Sequence, residues 1–293
     1  MCVDSNSSSP TVIHVIPGRL SIGVVTSLGH DVFVVRWPTQ QKIEVYDTKT
    51  FTLQRHITVP RLGRSLFGLA ACPHNNCLYA SDWDNDSIHR VQLSGRNAVM
   101  KWLLGSNAMK WWSVARGPLG LSVNSDHNLL VVSSGDRLLQ IFTTHGTPLQ
   151  NIELQADIEY PWHAVQLPTG QFLVSHYGSL HRVCLVGVDE AVVHSYGGRW
   201  GSQLTQMNGP RGLAVDREGR ILVADQGNKR LLVIDQSLSS AHEMSVCVDR
   251  CLNHPSCLWY DQPRRRLFIG ERDGGRVIII DNLKDFSAAQ VNA

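Results

Sequence analysis

Short apolar runs, broken at close intervals by clusters of Asp, Asn and Gly, follow one another along nearly the whole chain. The clearest stretch is 208–235. Leu213–Val215 is a short apolar run, Asp216–Gly219 a turn, Ile221–Ala224 a second run, Gln226–Asn228 a second turn and Leu231–Ile234 a third run. Brief β-branched and aliphatic segments joined by tight turns predict antiparallel strands. The same grammar recurs from Phe67, Pro118, Pro161 and Pro255, and in a more worn form from Gly23. Equivalent anchor positions fall at Gly23, Gly68, Gly120, His163, Gly212 and Cys257, spaced by 43 to 52 residues.

That period suits four strands per unit, the fourth lying in the variable stretch between units, as at 54–59 or 191–196. Six units use nearly the whole chain. The last has little sequence after Asp281 for an outer strand, while the run Thr11-Val-Ile-His-Val-Ile16 has no unit of its own. The economical arrangement is an all-β, six-bladed β-propeller of four-stranded antiparallel blades, its ring closed by the N-terminal strand joining the last blade. Closure of this kind removes an open sheet edge. The expected boundaries are a disordered tail over 1–10, a propeller over 11–283 and a C-terminal tail over 284–293.

Pro210-Arg-Gly-Leu-Ala-Val-Asp216, followed by Ile221-Leu-Val-Ala-Asp225 and Asn228-Lys-Arg230, closely resembles the NHL repeat. Weaker copies are Ser81-Asp-Trp-Asp-Asn85, Asn253-His-Pro-Ser256 and Glu271 with Arg276. The resemblance covers roughly 11–283 and implies the propeller found in tripartite-motif ubiquitin ligases and in stand-alone chains; related propellers also occur in some enzymes. Asp225 with Arg230, and Glu271 with Arg276, flank tight turns at the same spacing, so they are expected to be structural turn pairs. Elsewhere the pattern breaks. Arg36 or Trp37, Ser133 and His176 occupy the acid position in the first, third and fourth repeats, and Ser87 replaces the arginine in the second.

Composition narrows the classes. Of 293 residues, 43% are hydrophobic and 18% charged, enough for a large core, and the net charge of +2 provides no global field for nucleic acid or membrane. No apolar run approaches the roughly 18 residues of a membrane span. The polar, Ser-rich start lacks the basic and apolar regions of a signal peptide. A cytoplasmic, monomeric protein with no membrane partner is therefore expected, with its seven cysteines reduced.

No catalytic motif is recognisable, and no cofactor or metal is expected. Cys247, Cys251, His254 and Cys257 have spacings that zinc sites use. Cys257, however, falls within a predicted inner strand, so ordinary thiols are the simpler reading. Cys72 and Cys77 bracket a turn and are expected as free thiols. His163 and His176 are expected near the channel as buried or rim histidines, and Arg264, Arg265 and Arg266 as a solvated basic turn. Lys101, Trp102, Lys110, Trp111, Trp112 and Arg116 cluster in the insert between the second and third repeats. Arg199 and Trp200 lie in a second insert, near Arg211. Interleaved aromatic and basic residues on loops suit a protein interface or single-stranded bases, against the plainer alternative that some of the tryptophans pack.

The leading expectation is a non-catalytic scaffold for protein–protein interaction which, through the resemblance, recruits substrates to a ubiquitin ligase. A propeller that binds single-stranded RNA is the alternative, and a hydrolase or lyase-like propeller enzyme the third.

Overall fold

A computed structural model describes residues 11–38, 41–93, 109–246, 251–281 and 283. The expected tails over 1–10 and 284–293 lie outside the described residues, as do Lys101, Trp102 and Cys247.

The chain opens with β1 (Thr11–Ile16). Blade one follows with β2 (Ser21–Leu28), β3 (Asp31–Trp37), β4 (Lys42–Asp47) and β5 (Leu53–Thr58). Blade two holds β6 (Leu69–Cys72), β7 (Cys77–Asp82), β8 (Ser87–Gln92) and β9 (Met109–Ser113). Blade three holds β10 (Pro118–Val123), β11 (Leu129–Ser133), β12 (Leu138–Phe142) and β13 (Pro148–Glu153). Blade four holds β14 (Tyr160–Gln166), β15 (Phe172–Tyr177), β16 (His181–Val186) and β17 (Val192–Gly198). In blade five are β18 (Pro210–Val215), β19 (Ile221–Asp225), β20 (Arg230–Ile234) and β21 (Ala241–Met244). Blade six comprises β22 (Pro255–Asp261), β23 (Arg266–Glu271) and β24 (Val277–Asp281), with β1 as its fourth strand. The first strand of every blade contacts the first strand of the next, in a closed circuit round the axis. No helix among the described residues is long and apolar enough to cross a membrane.

Closure takes the expected form. β1 runs antiparallel to β24, with Thr11 opposite Asp281 and Ile16 opposite Val277. Ile16 is buried against the seam between blades six and one, in a cluster with Ile22, Val34, Phe268 and Ile279. Side-chain bonds cross that seam. Trp259 donates its indole N–H to Ser27 Oγ (2.9 Å), and Ser27 donates to Asp261 (3.1 Å). Arg266 forms a two-pronged pair with Asp281 and also reaches Thr48 O of blade one, while Arg264 pairs with Asp261 and donates to Gly29 O of blade one. The expectation of a solvated turn over Arg264, Arg265 and Arg266 is thereby corrected: two of the three guanidinium groups tie the ends of the ring together.

Glycine and serine set how closely the blades pack. A Cβ on Gly68 would lie 2.1 Å from Leu119 O of the next blade, and one on Gly120 would lie 2.5 Å from Trp162 O. At these inner-strand positions the neighbouring backbone occupies the space of a side chain. Ser81 Oγ, one strand further out, donates to Leu119 O (3.0 Å), and Ser256 Oγ, on the inner strand of blade six, donates to Ile22 O (3.3 Å), each bridging to the next blade.

The long insert after blade two is resolved differently from expectation. Lys110, Trp111 and Trp112 lie on strand β9 rather than on a loop, opposite Arg90, His89 and Ile88. Blade two needs a fourth strand, and β-prone tryptophans supply it. Strand alternation then splits the pair. Trp112 packs between Tyr79 and Phe142, at centroid distances of 6.2 and 6.1 Å, and covers Gly146 of blade three. Trp111 faces out, 58% exposed.

Candidate functional site

Antiparallel pairing places the start of each inner strand beside the end of the second strand: Ser21 opposite Trp37, Tyr160 opposite Tyr177, Pro210 opposite Asp225. The connections between blades and the turns after each second strand therefore share one face of the ring. The turn pairs sit there. Arg230 Nε donates to Asp225 (2.8 Å), and its remaining nitrogens donate to Ser202 O, Gln203 O and Gln206 O of the insert between blades four and five. Burial pushes the Asp225 carboxyl up, against bonds from Asn208 N, Asn228 and Arg230. Arg276 grips Glu271 through two bonds, at 2.6 and 2.8 Å.

Where the repeat pattern breaks, other residues take the same place. In blade one the polarity is reversed, with Arg36 on the second strand and Glu44 on the third, 2.9 Å apart. In blade two His89 replaces arginine against Asp82 (3.2 Å). Burial opposes ionisation of Asp82, but bonds from His89, Asn85 and Gly63 N outweigh it and hold the carboxyl below its ordinary value. Arg182 in blade four donates to His176 (2.9 Å) and borrows its carboxylate from Asp157 on the preceding connection. Sequence reasoning missed these three arrangements because the partners had changed type or strand while keeping their place.

Aromatic side chains cover the centre of this face. Trp83 meets Phe67 edge-on (6.0 Å), Phe67 meets Trp162 (5.9 Å), Trp162 meets Tyr177 (6.3 Å), and Tyr177 stacks on Tyr160 (5.5 Å). Phe67 and Trp162 touch although blade three separates their blades, so their rings lie over the axis. Below them the channel forms a cavity of about 330 Å³, lined by Gly68, Leu121, Leu213 and Trp259 among others. Above them an open basin of about 410 Å³ is bounded by Trp37, Trp83, Tyr160, Trp162, Arg211 and Arg272. The Arg211 guanidinium lies 3.9 Å over the Trp162 ring, a cation–π arrangement. Burial lowers its pKa to about 10, still protonated at neutral pH.

His163 stands where blades two, three and five carry Gly68, Gly120 and Gly212, the strand register of blade one putting Val24 there instead of Gly23, and its ring reaches both neighbouring blades. Nδ1 accepts from Leu213 N (3.1 Å), so Nε2 carries the proton and donates to Leu121 O (3.2 Å). Burial lowers its pKa. Burial, then the nearby Arg182 charge, lowers that of His176 to about 4. His176 is buried at the end of β15, opposite Pro161, as the buried-histidine reading expects, and it is not among the residues lining the channel cavity. Both imidazoles are neutral when folded, whereas in the unfolded chain they take up a proton near pH 6.5. Stability is therefore complete above that pH and falls as pH drops from about 6.5 towards 4. His176 alone accounts for on the order of 3 kcal/mol over this window. Urea midpoints at pH 7.5 and 5 should differ accordingly, and His176→Asn should reduce the difference. An unchanged difference in that variant would place the effect elsewhere.

Of the residues singled out in sequence, Arg211 lines the basin, and Arg116, Arg199 and Trp200 lie on connections of the same face. Arg116 is paired with Asp136 (2.9 Å), and Trp200 is 70% exposed. Trp37, Phe67, Trp83, Tyr160, Trp162 and Tyr177 were not among the binding candidates, although each lies in or beside the start of an inner strand or the end of a second strand and so could have been found from the repeat grammar. Cys257 is buried, and burial pushes its thiol up to about 12. His254 pairs with Asp273 (2.8 Å). Among the described residues no three His, Cys, Asp or Glu side chains converge as metal ligands do. Cys72 and Cys77 face each other across their hairpin as buried free thiols.

The fold and this face define a six-bladed β-propeller with an aromatic, loop-built face over its channel. Residues 207–234 match the model of the NHL repeat, which places one such repeat at blade five of this six-bladed ring. The chain is 26% identical over 131 residues to the protein brain tumor of Drosophila melanogaster, a match taking in 43% of this chain but only 12% of that protein. Among solved structures, hydrazine synthase of Kuenenia stuttgartiensis superposes with a TM-score of 0.65 at 14% identity, over 97% of this chain and 100% of that one. Virginiamycin B lyase from Staphylococcus aureus superposes with a TM-score of 0.64 at 8% identity, over 92% and 99%. At such identities these two structures speak for the fold alone.

Proposed function

We propose that this propeller is a non-catalytic, cytoplasmic scaffold that recognises a protein partner through the aromatic face over its channel. The observation carrying this reading is the continuous ribbon from Trp83 through Phe67, Trp162 and Tyr177 to Tyr160, in which Tyr160 and Trp83 remain 52% and 38% exposed. Large aromatic rings on a rigid frame are the usual anchors of protein interfaces, because they bury much area for little lost side-chain freedom. The mixed charge supports a protein over a polyanion. Asp84, Asp136, Glu159 and Asp273 share the face with its arginines. Single-stranded RNA is the second reading, favoured by Arg211 lying on Trp162, since such platforms also stack bases.

Affinity capture from extract with the wild-type chain and with the double variant Trp83→Ala, Tyr160→Ser tests this. The double variant should lose captured proteins while its melting temperature stays within a few degrees. Capture that is indifferent to both changes sinks the proposal. Ligase subunits among the captured proteins would support the finer reading, substrate recruitment to a ubiquitin ligase. A salt-dependent affinity for RNA that the same variant abolishes would favour the second reading.

A further inference from the structure

On the recognition face Arg36, Arg116, Arg182, Arg230 and Arg276 each hold a carboxylate of this chain. Arg211 does not. Its Nε is buried without a hydrogen-bond partner, and its guanidinium lies over the face of Trp162. The acids nearby are engaged elsewhere: Glu159 accepts from the backbone N–H and hydroxyl of Ser179, Asp273 from His254, and Asp157 from Arg182. A guanidinium stacked on a ring keeps its N–H groups in the plane of the stack, where they form a fork that matches a planar carboxylate. Arg211 is thus a partly buried cation at the edge of an aromatic basin, with its Nε unmatched and no carboxylate of this chain paired to it.

We propose that Arg211 is the anchor for a carboxylate side chain of a partner peptide, with the rings beside it receiving the adjoining apolar residue. This rests on the protein-platform reading and deepens it. One arginine with a fixed planar fork selects a single carboxylate. A nucleic-acid backbone requires a run of cations, and acids interrupt any such run on this face. Burial works in the same direction. Part of the guanidinium has already been taken out of water within the fold, so less desolvation remains to oppose binding of an anion.

Two synthetic peptides serve as probes, each with a central Tyr-Glu-Leu or Tyr-Gln-Leu between glycines and with blocked ends. Quenching of tryptophan fluorescence reports on Trp162. The glutamate peptide should bind wild type at least tenfold more tightly than the glutamine peptide. Arg211→Gln should remove that preference, and Arg211→Lys, which keeps the charge but loses the fork, should retain part of it. The idea is overturned if wild type shows no preference at millimolar peptide. It is equally overturned if the preference survives Arg211→Gln, or if a uridine-rich octaribonucleotide binds through Arg211 and the glutamate peptide does not. Failure here is separable from failure of the platform reading: capture lost on Trp83→Ala, Tyr160→Ser but unchanged on Arg211→Gln leaves the platform standing and removes the carboxylate anchor.

Discussion

Replacing Arg230 with alanine is expected to destabilise the propeller by about 3–5 kcal/mol, the range for removing one partner of a buried ion pair. Asp225 is fully buried and Arg230 is 7% exposed. Deleting the guanidinium strands a carboxylate that burial already disfavours, and also leaves the carbonyls of Ser202, Gln203 and Gln206 without their donor. The connection between blades four and five should loosen as a consequence, with faster amide exchange near Gly201 and Met207. Replacing both partners, Asp225→Leu with Arg230→Met, should recover part of the loss but not all of it. The stranded charge disappears, yet the three carbonyls stay unmatched. Urea unfolding of the three proteins checks this. A loss below about 1 kcal/mol for Arg230→Ala, the scale of a solvated pair, would show that water replaces the guanidinium freely.

Removing residues 1–16 should have the second large effect. β24 would lose its antiparallel partner and become an open edge, and Ile16 would leave the cluster that seals blades six and one. An exposed edge flanked by Ile278 and Ile280 invites pairing with other chains. The truncated protein is expected to aggregate at concentrations where the full chain stays in solution. A synthetic peptide spanning residues 9–18 should restore solubility by adding the missing strand. A truncated chain that stays soluble and melts like the full one would mean that the polar ties across the seam, Ser27–Asp261 and Arg266–Thr48, suffice for closure without the strand.

The two effects separate what holds a blade's face from what holds the ring, and the channel histidine belongs to the second group. His163 takes the place of an inner-strand glycine. A glycine there lets the next blade's backbone approach, whereas the imidazole bonds to the blades on both sides. The same position in the repeat thus serves blade contact by two different means.

Much of the architecture was legible in the sequence because its causes are local. Turn residues such as Asp216 and Gly219 fix hairpins within a few residues, apolar alternation assigns faces, and the period between anchors sets the number of strands in a unit. Even closure by residues 11–16 could be inferred, since one strand was in excess and one blade was short. Alternation also separates Trp111 from Trp112 once both are known to lie on a strand, but the insert's length concealed that strand.

The aromatic face over the channel was not legible in the same way. Phe67 and Trp162 are far apart in sequence and meet only because the ring brings blade two and blade four to a common axis. The unmatched donors of Arg211 depend on where every nearby acid has gone: Glu159 to Ser179, Asp273 to His254. Residue order alone determined the strands, the turns and the number of blades, through short-range sterics and hydrophobic periodicity. Only the closed tertiary structure decided which rings share the channel mouth and which charge is left without a partner, because distance across the axis and competition for hydrogen bonds are properties of the whole ring.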